Sequence, residues 1–325
     1  MTPGARLRSL SLLPTLILCA WAADDARVSV EPRARTAPSA SATPRTDIRV
    51  DSTVVQIPVT VMNPLNQLVT GLEKDNFRVF EDKVEQQIAY FGSEDAPLSI
   101  GLVFDTSGSM GNKLGRSREA AVQFFRTANP EDEFFLVQFN DQPQLVHDFT
   151  THFEELQSGL IFTQAKGRTA LLDAVYMALH KMKKARNARK ALLIISDGGD
   201  NSSRYTESEI KNLVREADVQ IYAIGIFESN LSGSRSTEEI NGPELLSELA
   251  EQTGGRHFAV NQLNELPDIA AKIGAELRNQ YLLGYSPVNK ARDGKYRKVT
   301  VKLTLPKRMP QLKAFFRQGY YAPTQ

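Results

Sequence analysis

Three oxygen-bearing side chains are spaced two residues apart in the segment 105–109, whose sequence is DTSGS. This segment directly follows the apolar run 99–104, which has the composition of a strand buried in a parallel sheet. If the chain turns tightly there, Asp105, Ser107 and Ser109 project their oxygens towards one point. Gly108 favours such a turn because it has no Cβ to restrict the backbone. The segment therefore predicts a site that binds a cation through oxygen.

Two further oxygen ligands follow at the ends of neighbouring elements. Thr169 lies just before a predicted helix, and Asp197 lies just after a second apolar run, 191–196. Two carboxylates and three hydroxyls form a hard donor set, which selects Mg²⁺, Ca²⁺ or Mn²⁺ over zinc or copper. We expect one divalent cation, Mg²⁺ before Ca²⁺ or Mn²⁺. Three direct protein oxygens would leave open positions, so an acidic side chain of a protein partner is able to complete the coordination.

The elements that position these residues alternate between strands and helices from residue 97 to residue 280. This alternation predicts an α/β fold, with a doubly wound, mostly parallel sheet of six strands and helices on both faces. In such sheets ligands bind beyond the carboxyl ends of the strands, where all five oxygen ligands are expected. The predicted strands are 99–104, 134–139, 144–149, 191–196, 219–227 and 257–260, and the predicted helices are 117–128, 170–182, 207–217, 243–252 and 266–277.

The two flanks of the α/β region have a different, all-β pattern. Residues 47–96 predict three or four short strands, and residues 281–325 predict strands at 281–285, 296–305 and 312–320. Either set alone would leave exposed sheet edges that favour aggregation. We therefore expect the flanks to pair into one small β-sandwich that carries the α/β domain as an insertion.

The N-terminal residues predict export. Residues 1–23 combine two arginines, a short apolar run and small residues at a cleavage position, as signal peptides do. Residues 24–46 are rich in Pro, Ala, Ser and Arg and predict a flexible linker. Cys19, the single cysteine, would be removed with the signal peptide. The mature chain is expected to be periplasmic or secreted, without a transmembrane segment.

The motif set resembles the metal-ion-dependent adhesion site (MIDAS) of von Willebrand factor A (VWA) domains. The phrases LVFDTSGSM (102–110), GRTALLDA (167–174) and LIISDG (193–198) are similar to that family. With the front segment VTGLEKDNFRVFED (69–82), the chain resembles the bacterial VWFA-related (acidobacterial-type) subgroup. The resemblance implies that one loop holds the metal through Asp105, Ser107 and Ser109. It further implies that Thr169 and Asp197 bind the metal directly or through water, and that the site captures a protein ligand without catalysis.

Two alternative hypotheses for the function are a magnesium-dependent hydrolase and a structural protein. A magnesium-dependent hydrolase would use Asp105 as a nucleophile, but such enzymes want a second acid two residues later, where this chain has Ser107. A structural protein with an incidental ion is the third hypothesis. The basic stretch 181–190 is interpreted as a solvated helix end rather than a nucleic-acid site, because the net charge is only +1. Asp173 and Asp200 are interpreted as helix-start and turn residues, and the role of residues 228–241 is left open.

Overall fold

The computed structural model describes residues 54–93, 95–227, 237–305 and 310–324, with the side chains of 237–240 left out. The predicted signal peptide and linker lie outside these ranges, as does most of the segment 228–241. Within the described ranges no helix is both long and apolar enough to cross a membrane.

Strands and helices follow the chain in the order that the sequence pattern predicts for an α/β unit between two β-rich flanks. The strands are β1 (Val55–Met62), β2 (Phe77–Glu81), β3 (Val84–Gln86), β4 (Ile88–Gly92), β5 (Leu98–Asp105), β6 (Glu133–Phe139), β7 (Pro143–Thr150), β8 (Arg189–Ser196), β9 (Gln220–Ile226), β10 (His257–Val260), β11 (Tyr281–Tyr285), β12 (Tyr296–Leu303), β13 (Lys313–Phe316) and β14 (Gly319–Tyr321). The α-helices are α1 (Leu114–Phe125), α2 (Phe153–Ile161), α3 (Leu171–Met182), α4 (Glu207–Glu216), α5 (Thr237–Gln252) and α6 (Leu266–Arg278). Short 3₁₀ turns lie at Lys74–Asn76, Gly108–Met110 and Leu263–Glu265.

The central sheet has six strands in the order β10-β9-β8-β5-β6-β7. The pairs from β10 to β6 are parallel, and β7 joins the edge antiparallel to β6. One face is covered by α1, α2 and α6 and the other by α3, α4 and α5, each with its own cluster of buried apolar side chains. β5 and β8 are central strands with the continuous apolar runs 100–104 and 191–195, because both of their faces are buried there. The predicted doubly wound, mostly parallel sheet is confirmed.

The two flanks pair with each other in a pair of four-stranded sheets. One sheet has the order β13-β1-β11-β4 and the other β14-β12-β2-β3. N-terminal β1 lies between C-terminal β11 and β13, and N-terminal β2 pairs with C-terminal β12. The inward residues of the two sheets share one buried cluster that includes Ile57, Val79, Leu283 and Val301. The predicted sandwich of both flanks is therefore present, and it packs with the α/β layers in one compact unit.

The structure differs from the predicted elements in one additional helix, one earlier helix start and one divided strand. Helix α2 was not predicted, although Phe153, Leu156 and Leu160 lie at helical spacing, because Ser158 and Gly159 weaken its pattern. Helix α5 begins at Thr237, so that Pro243 lies inside the helix rather than at its first turn.

The predicted strand 312–320 is divided between two sheets, as β13 and β14. The division comes at Arg317, which forms an isolated bridge with Thr253. A Cβ on Gly254 would lie 2.4 Å from the Arg317 backbone nitrogen, so the chain passes very close to this turn. The close passage turns the chain out of the first sheet before it joins the second.

Candidate metal centre

Asp105 ends the central strand β5 and is completely buried. The amide of Ser107 donates to its Oδ1 at 2.8 Å, and the Ser196 hydroxyl donates to its Oδ2 at 2.6 Å. Ser196 is the last residue of β8, the neighbour of β5 in the sheet. Both oxygens of Asp105 are thus held by short hydrogen bonds, one from the loop after β5 and one from the end of β8. The carboxylate therefore has a fixed orientation.

Ser107 and Ser109 bring their hydroxyls together beside this carboxylate. Their Oγ atoms are 3.0 Å apart, with Ser107 buried and Ser109 exposed. The 3₁₀ turn Gly108–Met110 produces this approach. The Gly108 amide donates to the Gly167 carbonyl at 3.0 Å, and a Cβ at Gly108 would lie only 3.3 Å from that oxygen. The glycine therefore serves the close approach of two loops, in addition to the turn that the sequence predicts.

Thr169 lies in the loop before α3, which contacts both the DTSGS loop and the loop after Asp197. It is buried, its amide donates to the Asn201 side-chain oxygen at 3.0 Å, and its carbonyl accepts from Asn201 and Ser202. On the other side of the same loop, the Lys166 amide donates to the Thr106 carbonyl at 2.9 Å. The loop that carries Thr169 is therefore hydrogen-bonded both to the DTSGS loop and to the loop after Asp197.

Asp197 follows β8 and is also buried. Its Oδ2 accepts a hydrogen bond from the ammonium of Lys113 at 3.0 Å. Gly198 then takes a positive φ of 82°, and a Cβ there would lie 2.9 Å from the backbone of Gly242 in α5. The left-handed backbone at Gly198 turns the chain away, so that Asp197 remains at the end of the sheet.

Asp105 is costly to ionise where it lies. Burial, together with the negative charge of Asp197, raises the pKa of Asp105 to about 7, against the opposing effect of the bonds from Ser107 and Ser196. A carboxyl in this condition is stabilised as an anion by any cation that enters the site. The centre therefore has a deficit of positive charge, which the single lysine does not remove.

The donor chemistry fits a hard divalent cation. Asp105, Ser107, Ser109 and Asp197 are brought together around the ends of β5 and β8, and Thr169 is held by the loops on both sides. Within the described residues there is no cluster of three or more histidine, cysteine, aspartate and glutamate residues. The site has only two carboxylates and otherwise hydroxyls, a set that suits Mg²⁺ and offers nothing to a soft metal.

Sequence reasoning missed three residues that shape the centre: Lys113, Ser196 and Asn201. Ser196 was detectable, because it directly precedes Asp197 at the end of an apolar run. Lys113 and Asn201 act across loops, and no local pattern indicates their partners. Asp173 and Asp200 have the structural roles expected of them: Asp200 accepts from the Leu172 amide at the start of α3, and buried Asp173 accepts from two amides of the loop before α4.

A polar cleft of about 260 Å³ opens beside the DTSGS loop. It begins at Thr106 and runs along the end of β6 towards the loop after α2. Phe162, which is 85% exposed, lies at its border. Its other lining residues are Gln138, Phe139, Asn140, Gln142, Gln144, Thr163, Gln164 and Lys166.

Comparisons with known proteins match the central part of the chain. Residues 100–199 match the family model described as von Willebrand factor type A domain. An uncharacterised protein of Borreliella burgdorferi is 28% identical over 187 residues, which cover 51% of this chain and 54% of that protein. Inter-alpha-trypsin inhibitor heavy chain H4 of Sus scrofa is 30% identical over 144 residues, which cover 40% of this chain and 16% of that protein.

Among solved structures, the von Willebrand factor type A protein from Catenulispora acidiphila is similar over 85% of this chain and 75% of its own. The sequence identity is 13% and the TM-score is 0.48. The matched part of this chain spans about half the length of the Borreliella burgdorferi protein and a much smaller part of the Sus scrofa heavy chain. The narrower resemblance to the bacterial VWFA-related subgroup stays a prediction.

Proposed function

The chain contains a von Willebrand factor type A domain, and we propose that this domain is a non-enzymatic module that binds a protein ligand through a divalent cation. Asp105, Ser107, Ser109, Thr169 and Asp197 would hold the cation, which we expect to be Mg²⁺. When bound, the ion supplies positive charge and open coordination positions at the rim of the sheet. An aspartate or glutamate of the partner protein would occupy one of them.

One observation carries the proposal: two buried carboxylates share an edge of the sheet, and among the described residues Lys113 alone forms an ion pair with either of them. Buried charges are normally paired, because leaving water without a counter-charge is costly. The pKa of Asp105, raised to about 7 by burial and by Asp197, expresses that missing counter-charge. A divalent cation supplies it, and the exposed Ser109 places the cation within reach of a partner.

Hydrolysis fits the geometry less well. A hydrolase with Asp105 as its nucleophile wants a second acid two residues later, and this loop presents the Ser107 hydroxyl there, 3.0 Å from the Ser109 hydroxyl. A role as an exported adhesion or scaffolding protein agrees with the N-terminal sequence, and location outside the cytoplasm is part of the proposal.

The test is capture of extracytoplasmic proteins by the immobilised chain, residues 24–325, in millimolar Mg²⁺ or in EDTA. The site variant is Asp105→Asn with Ser107→Ala. The matched control is Asp75→Asn, which removes an exposed carboxylate from the sandwich. The proposal expects a ligand that the wild type and Asp75→Asn hold in Mg²⁺, release in EDTA, and that the site variant does not hold.

A second step identifies the coordinating group. The acidic residues on the contact surface of the captured protein are changed one at a time to their amides, and one such change is expected to abolish capture. Capture that is equal in Mg²⁺, in EDTA and by the site variant contradicts the proposal. Such a result would move binding to another surface and leave the ion a structural role.

A further inference from the structure

Lys113 places a positive charge inside the candidate metal centre. Its ammonium nitrogen is 3.0 Å from Oδ2 of Asp197, and the two side chains are only 11% and 6% exposed. Surface ion pairs contribute little to stability, but a pair so shielded from water interacts strongly. Lys113 is therefore an electrostatic component of the site.

The backbone around Lys113 is fixed by hydrogen bonds, and the ammonium lies at the end of a four-carbon stem. The Lys113 amide donates to the Met110 carbonyl at 3.0 Å, and its own carbonyl accepts from the amide and the hydroxyl of Ser117, each at 3.0 Å. Its four-carbon stem carries the ammonium from this anchor to Asp197. Because lysine is flexible along that stem, the ammonium is able to leave Asp197 without a change in the loop.

The position of Lys113 is unfavourable for helix α1. Lys113 directly precedes Leu114, so its charge lies at the amino end of the helix, where the helix dipole disfavours cations. The first turn of α1 contains no acidic residue that would offset this effect. The charge is thus explained by Asp197 and not by the stability of the helix.

A divalent ion bound between Asp105 and Asp197 would compete with the Lys113 ammonium for Asp197. Asp105 and Asp197 carry two negative charges, which a divalent ion alone balances. An ion together with the ammonium leaves an excess positive charge in a region of low exposure, where repulsion is strong. The ammonium must therefore withdraw towards solvent when an ion enters.

We propose that Lys113 is a built-in counter-cation, which pairs with Asp197 while the site has no divalent ion and is displaced when one binds. Lys113 then lowers the affinity for the ion, because the free energy of its pair with Asp197 is lost when the ion binds. This inference rests on the proposed function, since it assumes that an ion binds at these residues.

The test is calorimetric titration of Mg²⁺ into metal-free wild type, Lys113→Met and Lys113→Arg. Methionine retains the length of the stem without its charge, and arginine retains the charge. The matched control is Lys166→Met, which removes an exposed charge from the neighbouring loop but retains the amide bond to Thr106. We expect Lys113→Met to bind Mg²⁺ about tenfold more tightly than wild type. Lys113→Arg and Lys166→Met should stay within about twofold.

Thermal unfolding gives a readout that does not depend on titration heats. In EDTA, Lys113→Met should unfold at a lower temperature than wild type, because two buried carboxylates lose their single cation. In saturating Mg²⁺ the difference should vanish or reverse, so the temperature shift produced by Mg²⁺ is larger for the variant. Lys166→Met should show the wild-type shift.

The possible results separate this inference from the proposed function. If wild type binds Mg²⁺ and Lys113→Met binds with the same affinity, the inference is overturned and the proposed function stands. If only Lys113→Met binds, the ammonium occupies the site in the natural chain and no ion displaces it, which overturns the displacement and removes the metal from the proposed function. If neither binds Mg²⁺, both are wrong.

Discussion

Buried carboxylates lie at both edges of the six-stranded sheet, but the protein surrounds them with donors to different degrees. At the opposite edge, where the parallel strands begin, Asp132 is completely buried. It accepts from the Leu98 and Asn129 amides, each at 2.8 Å, and from the Arg278 guanidinium. That guanidinium forms an ion pair with it from the end of α6. Each oxygen of Asp132 has at least two donors, including one that is charged.

At the site edge, where the parallel strands end, the carboxylates have fewer hydrogen-bond donors. Asp105 has neutral donors only, and Asp197 has the ammonium of Lys113. The same residue type in the same sheet is therefore neutralised at one edge and left partly uncompensated at the other. The contrast supports the proposal that the site edge binds a cation, because a deficit of charge that is retained in a folded protein commonly belongs to a functional site.

Asp132→Asn should have the largest effect. It removes the completely buried one of the two carboxylates that pair with Arg278, whose side chain is 12% exposed, and leaves that guanidinium paired with Asp95, which is 40% exposed. We expect a loss of about 3 kcal/mol in the free energy of unfolding, measured by urea denaturation, with no recovery in Mg²⁺. The matched control is Arg116→Met, whose ion pair with Glu119 is about half exposed and should contribute less than about 1 kcal/mol. A loss below that of the control would remove the contrast between the edges.

Asp105→Asn is the same substitution at the site edge and should act in the opposite way. Without metal at pH 8 the variant should be as stable as wild type or more stable, because it removes one of two like charges that are buried together. Mg²⁺ should no longer stabilise it, whereas saturating Mg²⁺ should stabilise wild type by about 2 kcal/mol or more. Urea denaturation in EDTA and in Mg²⁺ measures both effects. A strong loss of stability in EDTA would mean that Asp105, like Asp132, is structural.

The stability of the metal-free chain should depend on pH in a direction set by Asp105. Its folded pKa is about 7, above the value of about 3.9 in an unfolded chain. Between these values the folded state retains a proton that the unfolded state has released, so the contribution of Asp105 to stability falls as pH rises from about 4 to about 7. Above pH 7 it is constant.

The check is the difference in unfolding free energy between wild type and Asp105→Asn, measured in EDTA from pH 5 to pH 8. This difference should decline steadily with rising pH and then level off. Parallel curves would contradict the assigned pKa. Mg²⁺ affinity of wild type should show the reverse trend and rise up to about pH 7, because the ion competes with that proton.

Ser109→Ala should have the smallest effect of these changes. Ser109 is exposed, and its hydroxyl has the Ser107 hydroxyl at 3.0 Å as its partner. Metal-free stability should change by less than about 0.5 kcal/mol. Mg²⁺ affinity should fall by about tenfold, since one direct oxygen is lost from the coordination. A calorimetric titration measures this, and unchanged affinity would remove Ser109 from the ligand set.

The sequence was sufficient for the central sheet because β5 and β8 contain the continuous apolar runs 100–104 and 191–195, which is the pattern of strands buried on both faces. It was also sufficient for the pairing of the flanks, since neither half buries its apolar face alone. The sequence predicted the ends of some helices and strands less well. Pro243 indicated a helix start, yet α5 begins at Thr237, and the chain after Leu312 divides at Arg317 because of a contact with Gly254 that is distant in sequence.

The common location of the five predicted site residues could be inferred from the sequence, but their charge balance could not. The DTSGS loop, Thr169 and Asp197 follow elements that are readable from the sequence, so their common edge could be inferred. Lys113 and Arg278 are ordinary surface residues by type, and their partners Asp197 and Asp132 are remote along the chain. Only the folded arrangement shows that Asp105 and Asp197 are partly uncompensated and that Asp132 is neutralised.

The central claim is tested most directly by titrating Mg²⁺ into metal-free wild type, Asp105→Asn and the control Asp75→Asn, and measuring the stoichiometry and affinity by calorimetry at pH 8. The account predicts one ion per chain for wild type and Asp75→Asn, and an affinity at least about 100-fold weaker for Asp105→Asn. Equal binding by all three, or no binding by wild type, would contradict the assignment of the site edge as a cation centre.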